Sequence, residues 1–441
     1  MELVIGLRDG IAHDPEYGII TARVPFGLSV ADRRRHLYVI GKTGSGKSTL
    51  LRNLIVQDIE AGRGLMLLDP HGDLADELLD YIPSRRIEEV VYLAPADLAY
   101  PIGFNVLQHA PPDDRPLIAA NVVATFKHIW RDSWGPRLEY VLYNTIGALL
   151  DFPPSRGGVS LLGVPRMFTD ADYRARVVKE IQDQRVRAFW TEEFAGYSSQ
   201  FATEVVSPVQ NKIGALLAAP AIRNMLGQAT STLDIAEAMD NRRIVIANLS
   251  KGQLGEAATN LVGSLLVTAV QLAAMRRATI AEEDRVDFAV YLDEFHNFTT
   301  DAFAAILAEA RKYRLSLILG HQYLAQVSPP IRAAVFGNVG TLVAFQVGYD
   351  DAEALAGEFT PYGTDVLTGF SRGEVVVRTV ADGTTSAPFL GSTIAEVGWR
   401  YASRGKVIEQ SRRRWGGRRE VVEARLAQWA MNGAACRRSR M

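Results

Sequence analysis

The run Gly41-Lys42-Thr43-Gly44-Ser45-Gly46-Lys47-Ser48-Thr49 fits the pattern G-x-x-x-x-G-K-[ST] at every fixed position. His36-Leu37-Tyr38-Val39-Ile40 before it reads as a short buried strand, and Leu50 to Val56 after it as a helix. That is the context in which the pattern has meaning. Glycines let backbone N–H groups turn inward around phosphate oxygens, and the helix N-terminus adds positive partial charge. Gly41, Thr43, Gly44, Ser45, Gly46, Lys47, Ser48 and Thr49 are therefore the candidate nucleotide-binding residues. Lys47 is placed to reach the β and γ phosphates and Ser48 to hold Mg2+. A loop of this kind restricts the chain to an α/β nucleotide-binding fold, with ATP or GTP as its ligand.

Such a loop needs acidic companions. Phe288-Ala289-Val290-Tyr291-Leu292-Asp293-Glu294 is an apolar strand ending in two acids. Asp293 is the candidate second Mg2+ ligand and Glu294 the candidate polariser of the attacking water, since phosphoryl transfer rests on positioning and on neutralising oxygen charge. Leu315 to Gln322 is another buried strand with polar groups at its C-terminal end, where parallel sheets place their ligands. Gln322 there is a candidate γ-phosphate sensor, with His321 the lesser candidate and a solvent-facing loop amide the alternative. Between these strands, Arg311 and Arg314 are each either an arginine finger offered to a neighbouring subunit or part of a solvated basic helix end. Leu249-Ser250-Lys251-Gly252-Gln253 looks like the signature of ABC-type ATPases, but it follows a strand and lies far ahead of Asp293. It reads as an ordinary strand-to-helix loop.

At 441 residues the chain is long enough for two or three folding units. Strands at Gly64–Leu68, Glu89–Leu93, Arg243–Leu249, Phe288–Leu292, Leu315–Leu319 and Gly340–Gln346 alternate with helices, which implies a mostly parallel sheet covered on both faces. Helical periodicity fills the stretch from about Pro111 to Met239, including Leu117–Trp130, Leu138–Leu150, Asp170–Phe189 and Glu204–Leu217. The first 35 residues read as short strands and turns. The expected division is residues 1–110 as the first half of the motor, 111–240 as an inserted all-α domain, 241–398 as the second half, ending in a hairpin turned at Asp382-Gly383, and 399–441 as a basic tail.

That tail carries twelve Arg or Lys and three acids within a chain of net charge −2. It suggests contact with a polyanion, and equally fits a solvated helix and frayed terminus. A single cysteine, Cys436, excludes an intramolecular disulfide. Ala257 to Met275 is the longest uncharged run, but Asn260, Ser264, Thr268 and Gln271 form one polar stripe along it, the mark of a packed helix. No transmembrane segment is expected, and a cytoplasmic location follows.

The ordered motifs resemble the HerA/FtsK-like superfamily of P-loop ATPases, and most of all its conjugative coupling-protein (TraG/TraD-type) branch. The carrying residues are Asp32 to Gly44, Asp69-Pro70-His71-Gly72-Asp73-Leu74, Trp134 to Glu139, Asp293-Glu294-Phe295, Glu309 to Arg314 and Phe336 to Gly340. The resemblance implies a RecA-like motor interrupted by an all-α domain. It implies a homo-hexameric ring hydrolysing ATP with Mg2+ between subunits, DNA in the channel, and a role in conjugative transfer or mobile-element DNA processing. It makes Arg311 the trans-acting finger and Gln322 the sensor, and adds Asp69 and Asp73 as secondary candidates. The alternative from another class is an ATP-gated scaffold that recruits a secretion channel or an effector nuclease. Family members carry membrane anchors or an N-terminal β-barrel that are not seen here, and a peripheral place on a membrane complex is the implied setting.

Overall fold

The computed structural model describes residues 3–14, 18–108, 111–300, 303–381 and 383–431. Asp382, Cys436 and the terminal arginines Arg437, Arg438 and Arg440 lie outside these residues. The chain divides into two compact units, one formed by Met1–Tyr92, Ala236–Asn248 and Ala273–Ile408, the other by Leu93–Ile235, Leu249–Leu272 and Glu409–Met441.

The first unit is built on a mixed sheet. Its strands in chain order are β1 (Leu3–Asp14), β2 (Gly18–Leu28), β3 (Leu37–Ile40), β4 (Gly64–Asp69), β5 (Val90–Leu93), β6 (Ile244–Asn248), β7 (Phe288–Leu292), β8 (Leu315–His321), β9 (Thr341–Ala344) and β10 (Glu374–Arg378). A two-stranded ribbon, β11 (Val380–Ala381) and β12 (Thr384–Thr385), precedes β13 (Phe389–Thr393). The spatial order is β2-β1-β13-β10-β9-β3-β8-β7-β4-β6-β5. From β9 to β6 every pairing is parallel, and from β9 through β10, β13 and β1 to β2 every pairing is antiparallel.

The parallel strands are short unbroken apolar runs because helices cover both of their faces. Every residue of β3, β4, β6, β7, β8 and β9 is buried. At roughly 25 cal/mol per Å2 of apolar surface this burial is the main stabilising term for the unit. Apolar burial also admits one fixed polar network. Arg33 donates to both carboxylate oxygens of the buried Asp58 at 2.6 and 2.5 Å, and the Tyr291 hydroxyl donates to the same carboxylate at 2.6 Å. Asp58 lies on the helix Lys47–Glu60 and Tyr291 on β7, so the network fixes that helix against the strand that carries the paired acids.

The N-terminal strands differ from the short strands and turns expected. They form one long hairpin, paired in register from Gly6↔Phe26 to Asp14↔Gly18. The expected helix over Asp170–Phe189 is two helices, Ala171–Glu180 and Gln184–Ala188, because Ile181 is extended and Asp183 caps the second through the N–H groups of Arg185 and Val186.

The second unit is helical. Arg115–Ile129 and Pro136–Asp151 pack together, and Ser199–Val209 runs on into a π turn over Gln210–Gly214. The basic segment after residue 399 is ordered helix through Met431, over Arg404–Trp415 and Arg419–Met431. Arg412 pairs with Asp97 at 2.7 Å and Arg419 with Glu423 at 3.0 Å, so part of its charge serves packing. One helix among the described residues, Glu256–Thr279, is long and apolar enough to cross a membrane. Of its most apolar window 83% is buried, with Ser264, Thr268 and Gln271 of the polar stripe inside.

Candidate functional site

Each functional side chain follows the C-terminal end of a parallel strand. β3 leads into the glycine loop, β7 into Asp293 and Glu294, and β8 into Gln322. Because β8 lies between β3 and β7, Gln322 emerges between the loop and the paired acids. A cleft of about 200 Å3 collects Thr43, Gly44, Gly46, Lys47, Ser48, Thr49, Asp293, Glu294 and Gln322. Gly41 and Ser45 shape the loop from behind rather than lining the cleft.

Both neighbouring strands pin the loop. The Gly41 N–H donates to the His321 carbonyl at 3.2 Å and the Lys42 N–H to the Gln346 carbonyl at 2.8 Å. Gly46 caps the helix Lys47–Glu60 at φ +122°, a backbone conformation open to glycine, and no side chain caps the helix. The first N–H groups of that helix are thus left to a ligand. Lys47 Nζ donates to the carbonyls of Gly41 at 2.5 Å and Lys42 at 3.1 Å. Burial lowers its pKa, against the opposing pull of Glu294 and Asp293.

The acids are buried. Asp293 is pushed up to about 7, first by burial and then by the charges of Asp69 and Glu294. Room for its carboxylate comes from Gly320 on β8, where a Cβ would stand 3.0 Å from Asp293 Oδ1. Glu294 sits at φ +47°, a left-handed strain typical of functional turns. Its backbone carbonyl accepts from Asn297 at 2.8 Å, and His296 Nδ1 lies 3.6 Å from its Oε2.

Asp69 holds the backbone that follows it. Its two carboxylate oxygens accept from the backbone N–H groups of His71 at 2.8 Å and Ala75 at 2.9 Å. It tethers the turn into the helix Asp73–Leu78 and adds negative charge behind Asp293. Asp73 is exposed at the start of that helix and does not line the cleft.

Arg311 does not join this cleft. It is exposed on the turn that precedes β8, at the opposite end of the strand from Gln322. Arg314 shares that turn, at φ +54°, and donates to the Arg285 carbonyl at 2.7 Å. The buried His36 stands beside them, its Nδ1 accepting from the Leu317 N–H at 3.0 Å and its Nε2 facing the Leu307 carbonyl at 3.1 Å.

Two further residues line the cleft, His71 and Arg372. Arg372 is brought there by its neighbour Gly373, whose N–H donates to the Ser45 carbonyl at 2.9 Å. The glycine before the predicted strand at Glu374 was the only local signal of that turn.

A family model described as "Helicase HerA, central domain" matches residues 16–116. No curated protein matches the sequence. Among solved structures, the bacterial conjugative coupling protein TrwBdeltaN70 in its unbound form is similar at TM-score 0.63 and 16% identity, over 86% of this chain and 88% of that one. The plasmid coupling protein TrwB in complex with ADP and Mg2+ is similar at TM-score 0.61 and 14% identity, over 85% and 88% of the two chains. VirB4 of Thermoanaerobacter pseudethanolicus is similar at TM-score 0.54 and 16% identity, over 89% and 96%. The mostly parallel RecA-like architecture and the resemblance to HerA/FtsK-like P-loop ATPases near the coupling proteins thus stand on a matched segment and on the fold.

Proposed function

We propose that this chain is a ring-forming ATPase motor that moves DNA, in the manner of the conjugative coupling proteins whose fold it shares. The observation that carries the reading is the meeting of Lys47, Ser48, Asp293, Glu294 and Gln322 in one cleft at the carboxyl ends of three adjacent parallel strands.

The residues fit ATP with Mg2+. An uncapped helix start, a lysine and exposed loop amides suit a triphosphate. Among the described residues no group of three or more His, Cys, Asp or Glu side chains is arranged to hold a metal alone. That suits Mg2+, which keeps waters and phosphate oxygens beside one or two protein ligands. Ser48 and Asp293 would hold it, and it would neutralise charge on the phosphate oxygens. Burial and the charges of Asp69 and Glu294 raise the pKa of Asp293, and a cation beside it would offset that charge. Glu294 orients the attacking water, Gln322 senses the γ-phosphate, and Arg311, facing away from its own cleft, supplies charge to a neighbour's. This last role requires the homo-hexamer. DNA is gripped through its backbone, so affinity is sequence-tolerant and falls with salt. The proposed setting is cytoplasmic, peripheral to a membrane transfer complex.

The test is steady-state ATP hydrolysis with and without single- and double-stranded DNA, beside Glu294→Gln. Stimulation by one DNA form, abolished in the variant while ATP binding persists, is expected. Hydrolysis indifferent to every DNA would replace the motor with the scaffold that recruits a secretion channel or nuclease.

A further inference from the structure

The helical unit holds a second cavity, of about 400 Å3, unrelated to the glycine loop. Among the described residues four arginines line it, Arg156, Arg166, Arg176 and Arg425, and no acidic residue does. Tyr173 and Trp429 supply aromatic walls, edge to face with ring centroids 5.7 Å apart. The cavity is within the range of small-molecule sites.

Two of the cations are already committed. Arg166 lies over the rings of Tyr173 at 4.5 Å and Trp429 at 4.7 Å and pairs with Asp170 at 3.1 Å. It also donates to the Trp429 carbonyl at 2.8 Å, and so clamps the helix Arg419–Met431 over the cavity. Arg156 pairs with Glu180 at 3.0 Å. Arg176, which also lies over the Tyr173 ring at 5.8 Å, and Arg425 are exposed and pair with no acidic side chain among the described residues. Each sits one helical turn from an aromatic wall, Arg176 three residues after Tyr173 and Arg425 four before Trp429. Like charges converging on one cavity are unfavourable until an anion joins them.

Tyr173 is 3% exposed, so its ring backs the cavity, and the half-buried Trp429 is the aromatic surface an occupant can meet.

We propose that this cavity binds a phosphorylated nucleoside. Arg176 and Arg425 take the phosphate by charge-assisted hydrogen bonds, and Trp429 offers the base an aromatic surface. The ligand is either a free nucleotide or one unit of a single-stranded nucleic acid, which share this chemistry. The site is independent of the loop and of the ATPase reading.

Equilibrium dialysis of the full chain against labelled AMP, counted per subunit, tests it. Lys47→Ala, impaired at the loop, should still bind one AMP. Arg176→Glu/Arg425→Glu in that background should lose it, with thermal melting unchanged, and the neutral pair Arg176→Gln/Arg425→Gln should weaken it at least tenfold. In the native background the double variants should keep Mg2+-ATP binding at the loop, so loss of the second site and failure of the ATPase reading separate. Competition by a short oligothymidylate identifies the strand as the source, and indifference to it identifies the free nucleotide. No AMP bound to Lys47→Ala, or displacement by inorganic phosphate at the concentration at which AMP binds, would overturn the proposal.

Discussion

Gly320 and Asp293 stand on adjacent strand ends so close that a methyl group on the glycine would meet the aspartate carboxylate at 3.0 Å. The packing of one residue without a side chain therefore sets the position of a candidate metal ligand. Gly320→Ala should push the carboxylate by a few tenths of an ångström. Misplacement on the ångström scale costs catalysis on the order of a hundredfold, so a loss of about tenfold in ATP turnover is expected, with a higher Mg2+ requirement. A variant with native turnover would show that Asp293 tolerates displacement.

Asp293 also makes stability depend on pH. Its carboxyl is raised to about 7 in the fold. Between its unfolded value near 4 and pH 7 the folded state holds more protons, so stability falls as pH rises through that window. Asp293→Asn removes the buried charge. Without nucleotide the variant should be more stable than the native protein at pH 8 by about 1–4 kcal/mol, and the gain should vanish by pH 4. Calorimetry at the two pH values checks it.

Arg311 and Arg314 are three residues apart with opposite expectations. Arg314 donates to the Arg285 carbonyl from a left-handed turn. Arg314→Ala should cost about 1–2 kcal/mol of stability. Arg311 is exposed, and Arg311→Ala should leave melting and single-subunit ATP binding near native while crippling turnover. Mixing it with Glu294→Gln subunits should restore activity in part, because some interfaces then join an intact finger to an intact cleft. No restoration at any ratio would remove the shared-site reading.

The Arg33–Asp58 pair gives a stability test away from the cleft. Burial alone would raise the Asp58 carboxyl, but Arg33 and the Tyr291 hydroxyl outweigh it and hold the pKa below the usual value. That contribution is complete above the unfolded pKa and is lost as pH falls toward the folded one. Arg33→Met leaves Asp58 with the partial cover of Arg63, at 3.0 Å. A loss of about 3–5 kcal/mol is expected in denaturant unfolding at pH 7, shrinking in acid.

The loop, Asp293, Glu294 and Gln322 were legible in the sequence because each ends a buried apolar run, and in a parallel sheet the ends of such runs converge. Arg372 and His71 were not. Arg372 reaches the cleft through the bond from Gly373 to Ser45, which joins distant parts of the chain and leaves no periodic trace. In the basic C-terminal segment composition hid the packing. Val407, Trp415 and Val422 are buried among its arginines, a packing stripe hidden by the charge count. The break at Ile181 went unread because the apolar spacing continues across it, although Asp183 carried the capping signal.

β3 is four residues long, about 13 Å at 3.3 Å per residue. At one end it becomes the glycine loop. At the other, His36 contacts the Leu307 carbonyl on the helix leading to Arg311. In the proposed ring, what happens to one subunit's nucleotide would be felt, along a single stiff buried strand, at the arginine serving the next.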